Sequence, residues 1–347
     1  MVQLPKLVGV VLAILGVSLV AGQPAMAQSN LDGIVKKAGE EGAVVVNLST
    51  TRYPATTAPA LSKAISEKFG IDLNIELINT APAPVGAGQL IAESKAGVKP
   101  SYDVFPLPLS FTKAIGEANA IEKIDWAGIG VDPELIGPNG NAVWIYTIPR
   151  AVVYNTELVT GDDIPTKLED LLDPQWKGKI AGPGFGDAYG MISAPVLGEE
   201  KAAEWVEALY KDQALSIVRS MTDITNKVAN GEMAIGMGVP ANYAGLVTKG
   251  APVANAPLEK VGGQPYYIFV AADAAHPNAG ALLSYFLCCT EEGRSALLEN
   301  TGSAFFNTPG SEAYEMGSDG RGITPTTEWQ LNDQARVAKR FDALIGR

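Results

Sequence analysis

Histidine occurs once in this chain of 347 residues and cysteine only twice. One His cannot build a multi-histidine zinc or iron centre, and two adjacent cysteines cannot build a four-cysteine zinc or cluster site. Basic residues are also scarce, 26 Lys and Arg against 38 Asp and Glu, for a net charge of -12. Without a basic stripe the chain is a poor nucleic-acid binder, because phosphate contacts supply most of that affinity. Catalytic motifs are missing as well: there is no G-x-S-x-G and no P-loop lysine. Gly182-Pro183-Gly184-Phe185-Gly186-Asp187 carries Asp where a dinucleotide loop needs its third Gly. The lone His276 stands in His-Pro-Asn, a turn before a helix, and no pair of carboxylates is singled out for acid–base work. No enzyme is expected. With 47% apolar and 18% charged residues, the composition is that of a folded protein.

One long apolar run exists, and it is at the start. Lys6 precedes Leu7 to Ala21, and Ala25-Met26-Ala27 follows a Gly22-Gln23-Pro24 break. A charged n-region, a short apolar core and an A-x-A site make a secretory leader cleaved after Ala27. The run is too short for an ordinary membrane span. Residues 1–27 are therefore read as signal peptide and the remainder as an exported, periplasmic protein. No Cys stands near the site, which excludes a lipid anchor there. Cleavage removes only Lys6 among the charges, so the mature chain is slightly more acidic. Cys288 and Cys289 fall side by side in a helical pattern, where a disulfide would be strained, so two largely buried thiols are expected.

The mature chain alternates strand and helix signals. Leu31 to Glu41 reads as a helix capped by Asn30, Ala43 to Leu48 as a buried strand, and Ala58 to Phe69 as a helix stopped by Gly70. Ile71 to Ile78 alternates as a strand, Val85 to Ala96 is a helix, Tyr102 to Phe105 a strand and Ser110 to Asn119 a helix. Such a series implies a parallel doubly wound α/β sheet, with ligand at the carboxyl ends of its strands. A second series follows. Strands are expected at Ala151 to Asn155, Lys179 to Ala181, Met233 to Met237 and Tyr266 to Val270. Between them come helices at Lys167 to Leu172, Glu199 to Tyr210 and Thr225 to Asn230, and a loop from Gly182 to Gly190.

Three stretches together carry more. Asp173-Pro174-Gln175-Trp176-Lys177-Gly178-Lys179-Ile180 follows Leu168 to Leu172, Val152 to Val159 (VVYNTELV) precedes it, and His276-Pro277-Asn278-Ala279 comes later. This arrangement resembles the extracellular solute-binding proteins of ABC importers, in the branch handling ferric ion, 2-aminoethylphosphonate, polyamines and similar solutes. Ser49-Thr50-Thr51-Arg52 is similar to that family's first loop, with Leu48 where an aromatic residue is common. The resemblance implies a type 2 periplasmic-binding-protein fold, two doubly wound lobes joined by crossover strands and closing like a hinge. It divides the chain into lobe 1 (28–150 plus 270–347) and lobe 2 (151–269). It also implies a monomer that delivers a small molecule to an inner-membrane permease and has no catalytic residues. The Asp-Pro-Gln-Trp-Lys-Gly-Lys element is read as a structural turn.

The ligand candidates are loops after strands: Ser49, Thr50, Thr51 and Arg52; Arg150 beside the first crossover; and Asp187, Ala188 and Tyr189 in a glycine-rich loop. Thr225 and Asn226 are expected to open a helix, and Asn242-Tyr243 to follow a strand. Ferric-ion members of the resembling family often carry two consecutive tyrosines there, since phenolate suits Fe(III), and this chain has one. Iron would draw on Tyr53, Tyr146, Tyr189 and Tyr243. The apolar loops Ala81-Pro82-Ala83-Pro84 and Pro106-Leu107-Pro108-Leu109 suit an organic ligand better, so a small organic anion leads and ferric ion follows. A polyamine ranks third, for want of cleft carboxylates. No resident cofactor is expected. An exported enzyme, or a receptor coupled to a sensor, is the alternative from another class.

Overall fold

The structure is a computed structural model that describes residues 22–48, 54–78, 83–137, 139–238, 244–247, 249–301, 308–317, 323–324 and 334–346. The first part of the chain runs α1 (Gly22–Glu41), β1 (Ala43–Asn47), α2 (Thr57–Phe69), β2 (Asn74–Ile78), α3 (Ala83–Ala96), β3 (Val104–Pro108) and α4 (Leu109–Glu117). The β-branched run of β1 buries Val44 and Val46, while α2 turns Thr57, Leu61 and Ile65 inward at four-residue spacing. It stops at Gly70, whose φ of 69° is left-handed. β1, β2 and β3 are parallel with β1 in the middle, as the sequence leads one to expect. α1 begins well before Leu31, because the Asn30 side chain donates to the Gly128 carbonyl (2.9 Å) instead of capping a helix start. No helix among the described residues is long and apolar enough to cross a membrane.

β4 (Val143–Pro149) and β5 (Ala151–Asn155) follow, separated by Arg150 alone. Then come β6 (Ile180–Pro183), α5 (Gly186–Leu197), α6 (Glu199–Lys211), β7 (Ser216–Val218), α7 (Met221–Ala229), β8 (Ile235–Gly238), α8 (Ala244–Val247), β9 (Val253–Asn255) and β10 (Val261–Val270). The chain ends with α9 (Pro277–Cys289), α10 (Glu291–Thr301), α11 (Glu312–Gly317), β11 (Ile323–Thr324) and α12 (Gln334–Leu344). Two sheets result. One has the order β11-β10-β3-β1-β2, with β4 also on β10; the other runs β7-β6-β8-β5-β9. Each has its own core, one around Val46, Leu61, Ile145 and Phe286, the other around Val153, Trp176, Ile235 and Phe341.

The division between the lobes departs from the one expected in two places. β10 is antiparallel to β3 and β4 from Gly263 onward, so this strand joins the first sheet several residues before 270. The C-terminal helix α12 belongs to the second lobe, not the first. Val337 and Phe341 lie four residues apart on one face and, with Ile345 just beyond the helix, fill the second core against α5 and α6. An amphipathic helix reads the same from sequence whichever lobe it covers.

The two family-like motifs prove to be joints. Asp173 accepts from the Gln175 amide (2.9 Å), Trp176 is buried, and Gly178 takes φ 74° to turn the chain into β6. In the other, His276 gives its amide to Asp103 Oδ1 (2.9 Å) and sets Nδ1 2.8 Å from Asp103 Oδ2. Asn278 and Ala279 donate to the Glu41 carboxylate, fixing the start of α9. A Cβ on Gly280 would stand 2.9 Å from Val104, so only glycine lets α9 lie this close to the sheet. Cys288 is buried and Cys289 half-buried, both as thiols, and burial pushes the Cys288 thiol upward.

Candidate functional site

Strand order alone locates the crevices. From β1 the chain passes to β2 on one side and then to β3 on the other, so the first sheet reverses direction around β1. β6 plays the same part in the second sheet, with β7 on one side and β8 on the other. Ligands of open α/β sheets sit outside the carboxyl ends of strands at such reversals. The relevant loops are those after β1, β3, β6 and β8. A surface groove between α2 and the amino ends of β1 and β2, lined by Ser62, Ser66, Asp72 and Asn74, is at the opposite end.

Of the expected site residues, Ser49, Thr50, Thr51, Arg52, Tyr53, Asn242 and Tyr243 lie outside the described residues. Arg150 lies at the crossover. Its amide donates to the Gly262 carbonyl (2.8 Å), and its guanidinium donates to Gln264 Oε1 and reaches Met191 Sδ at 3.5 Å. It therefore ties β4, β10 and α5 together at the point where the chain changes lobes.

The loop expected from Gly182 to Gly190 is largely helix. α5 starts at Gly186, so half-buried Asp187 occupies its first turn and Tyr189 its second. Tyr189 is 0% exposed, and its hydroxyl lies against the Cα side of Gly182, inside the second lobe. Its ring belongs to the core rather than to a crevice. Glycine and proline made this stretch look irregular, yet eight of the twelve α5 residues are buried, and burial outweighs weak helix propensity. The Gly186 amide donates to Asp342 Oδ1 of α12 (2.6 Å), and a Cβ on Gly186 would clash with the Ala338 carbonyl oxygen.

Thr225 and Asn226 do not open a helix. Ser220 Oγ accepts from the Asp223 amide (3.2 Å), so α7 starts at Met221 and both residues sit in its second turn. Thr225 is buried, donating to the Met221 carbonyl (3.1 Å), and Asn226 is exposed. Tyr146, 1% exposed, stacks on Tyr266 with ring centroids 4.9 Å apart in the first lobe. Two exposed strand-end residues not among the expected site residues are Phe185, 39% exposed in the loop after β6, and Arg219, directly after β7. β7 is three residues long, too short to leave a periodic signal that would have marked Arg219 as a strand-end residue.

Residues 116–315 match the model of a family described as bacterial extracellular solute-binding protein. The chain belongs to that family. Its members are binding proteins, not enzymes; they take small molecules and work with ABC permeases. Iron-bound HitA from Pseudomonas aeruginosa shares the fold at 20% identity and a TM-score of 0.63, covering 88% of this chain and 99% of that one. The Trichodesmium protein IdiA (FutA), in complex with iron and citrate, gives 18% and 0.67 with 87% and 99% coverage. AfuA from Actinobacillus pleuropneumoniae, with fructose-6-phosphate bound, gives 18% and 0.52 with 86% and 98%. These neighbours place the solute-binding protein in the two-lobed periplasmic-binding-protein fold. A search of curated protein sequences found no match.

Proposed function

We propose that this solute-binding protein is the periplasmic receptor of an ABC importer and that its solute is a small organic anion. One observation carries the choice of ligand. Of the four phenols that iron would draw on, Tyr146 and Tyr189 are enclosed in the cores of separate lobes, at 1% and 0% exposure. Fe(III) needs hard oxygen ligands converging on one point, and two enclosed rings cannot turn outward without unpacking a core. The apolar loop expected at Pro106 to Leu109 is instead the end of β3 and the start of α4, buried in the first lobe, so it is core and carries no argument about the ligand. Lobe closure on the solute would present a permease with a distinct surface.

The test is the metal content and visible spectrum of the exported, mature protein. Colourless protein without stoichiometric iron is expected; stoichiometric iron with a phenolate charge-transfer band would overturn the anion reading. Its intact mass is expected to begin at Gln28, and retention of residues 1–27 would contradict the leader. Permease and ATPase genes beside this one support transport, whereas a sensor kinase alone would contradict it.

A further inference from the structure

Eight arginines occur in the chain, and five of them, Arg150, Arg219, Arg294, Arg336 and Arg340, are among the described residues. Arg150 holds Gln264, Arg294 the Cys288 carbonyl, and Arg336 and Arg340 hold Glu199 and Glu200. Arg219 makes no hydrogen bond or ion pair among the described residues and is exposed. Its position is not arbitrary. It is the first residue after β7, the edge strand that flanks β6 on the side away from β8. Pro183 is in register with Val218, and the Gly184 amide donates to the Val218 carbonyl (2.9 Å). The loop carrying Phe185 and the loop carrying Arg219 therefore run side by side at the carboxyl ends of β6 and β7.

Two backbone donors at the nearby helix starts already have partners. The Gly186 amide at the start of α5 holds Asp342, and the Asp223 amide of α7 holds Ser220 Oγ. Asp187 and Asp223 add negative charge to the first turns of the same helices. The exposed guanidinium offers an anion a charged donor at this end of the sheet.

We propose that Arg219 and Phe185 read the solute together, which rests on the reading of the chain as an organic-anion receptor. Arg219 forms a two-pronged pair with an oxyanion of the carboxylate or phosphonate kind. Phe185 covers an apolar part of the same molecule beside that group. The ligand class is thus an acid with a hydrocarbon or aromatic body, in preference to a bare inorganic ion.

The experiment is calorimetric titration of the mature full-length chain with phenylphosphonate, inorganic phosphate, benzoate and ferric citrate. Phenylphosphonate or benzoate is expected to bind more tightly than phosphate. Arg219→Gln should weaken the organic anions by roughly ten- to a hundredfold, the usual range for a lost charge-assisted pair. Phe185→Ala should weaken them about tenfold and leave any phosphate binding unchanged. Melting temperatures without ligand, unchanged in both variants, show that folding is intact. Wild-type affinity in Arg219→Gln overturns the proposal, as does binding of none of the organic anions. Binding of ferric citrate alone also overturns it, while leaving the receptor function standing.

Discussion

Asp103 is 2% exposed, and its carboxylate accepts from the amides of Val45 (2.7 Å) and His276 (2.9 Å) while lying against the His276 ring. Removing it leaves two backbone N–H groups without a partner, each costing about 1–3 kcal/mol when buried. Asp103→Ala should therefore lower stability by about 2–5 kcal/mol in urea denaturation; a loss below about 1 kcal/mol would contradict this role for the carboxylate. The one histidine, read from sequence as a turn residue, does that work through this contact. Arg150, a candidate anion ligand from sequence, engages Gln264 and Met191 and so braces the crossover. Arg150→Ala is expected to lower the ligand-free melting temperature by about 2–4 °C. Its ligand affinity decides the rest: an unchanged value removes Arg150 from the site.

The contact between α12 and α5 depends on small size and charge. Gly186→Ala forces the Ala338 carbonyl away, so α12 should loosen and its amides exchange faster with solvent than in the wild type. Arg336 and Arg340 grip Glu199 at 2.8–2.9 Å, and the Arg336 hydrogen bond above all holds its carboxyl down at about 2 against the ordinary 4.5. A depressed carboxylate contributes its stability above the ordinary value and loses it as pH falls through the depressed one. Acid titration followed by hydrogen exchange should thus release α12 between about pH 4.5 and 2, and Glu199→Gln should weaken that pH dependence, leaving the part carried by Glu200 on Arg340. At this scale the sequence was legible where periodicity and apolar content agreed, as in β1, α2, β5 and α6. It was opaque where tertiary contact decides. α5 looks like a glycine-rich loop until α12 supplies a cap and a core fills around it, and α7 starts early because Ser220 takes the cap.

Two sheets, reversing direction around β1 and β6, place the loops after β1, β3, β6 and β8 where a solute can lie. The α/β pattern and the family-like motifs predicted that architecture, because alternation of strand and helix permits few others. They could not predict which lobe receives α12, since either core offers an apolar surface. Nor could they separate a cleft tyrosine from a core one, because Tyr146 and Tyr189 differ from an exposed phenol only in what packs on them. The scarcity of His and Cys set the limits early: a metal here would rest on phenols, carboxylates or a borrowed anion, and two of the named phenols are enclosed.

Thermal denaturation of the mature protein against separate additions of small carboxylates, phosphonates and ferric citrate tests the ligand class directly, since a ligand that binds only the folded state raises the melting temperature. The expected result is a concentration-dependent rise with an organic anion and none with ferric citrate; a rise with ferric citrate and with none of the organic anions would contradict it.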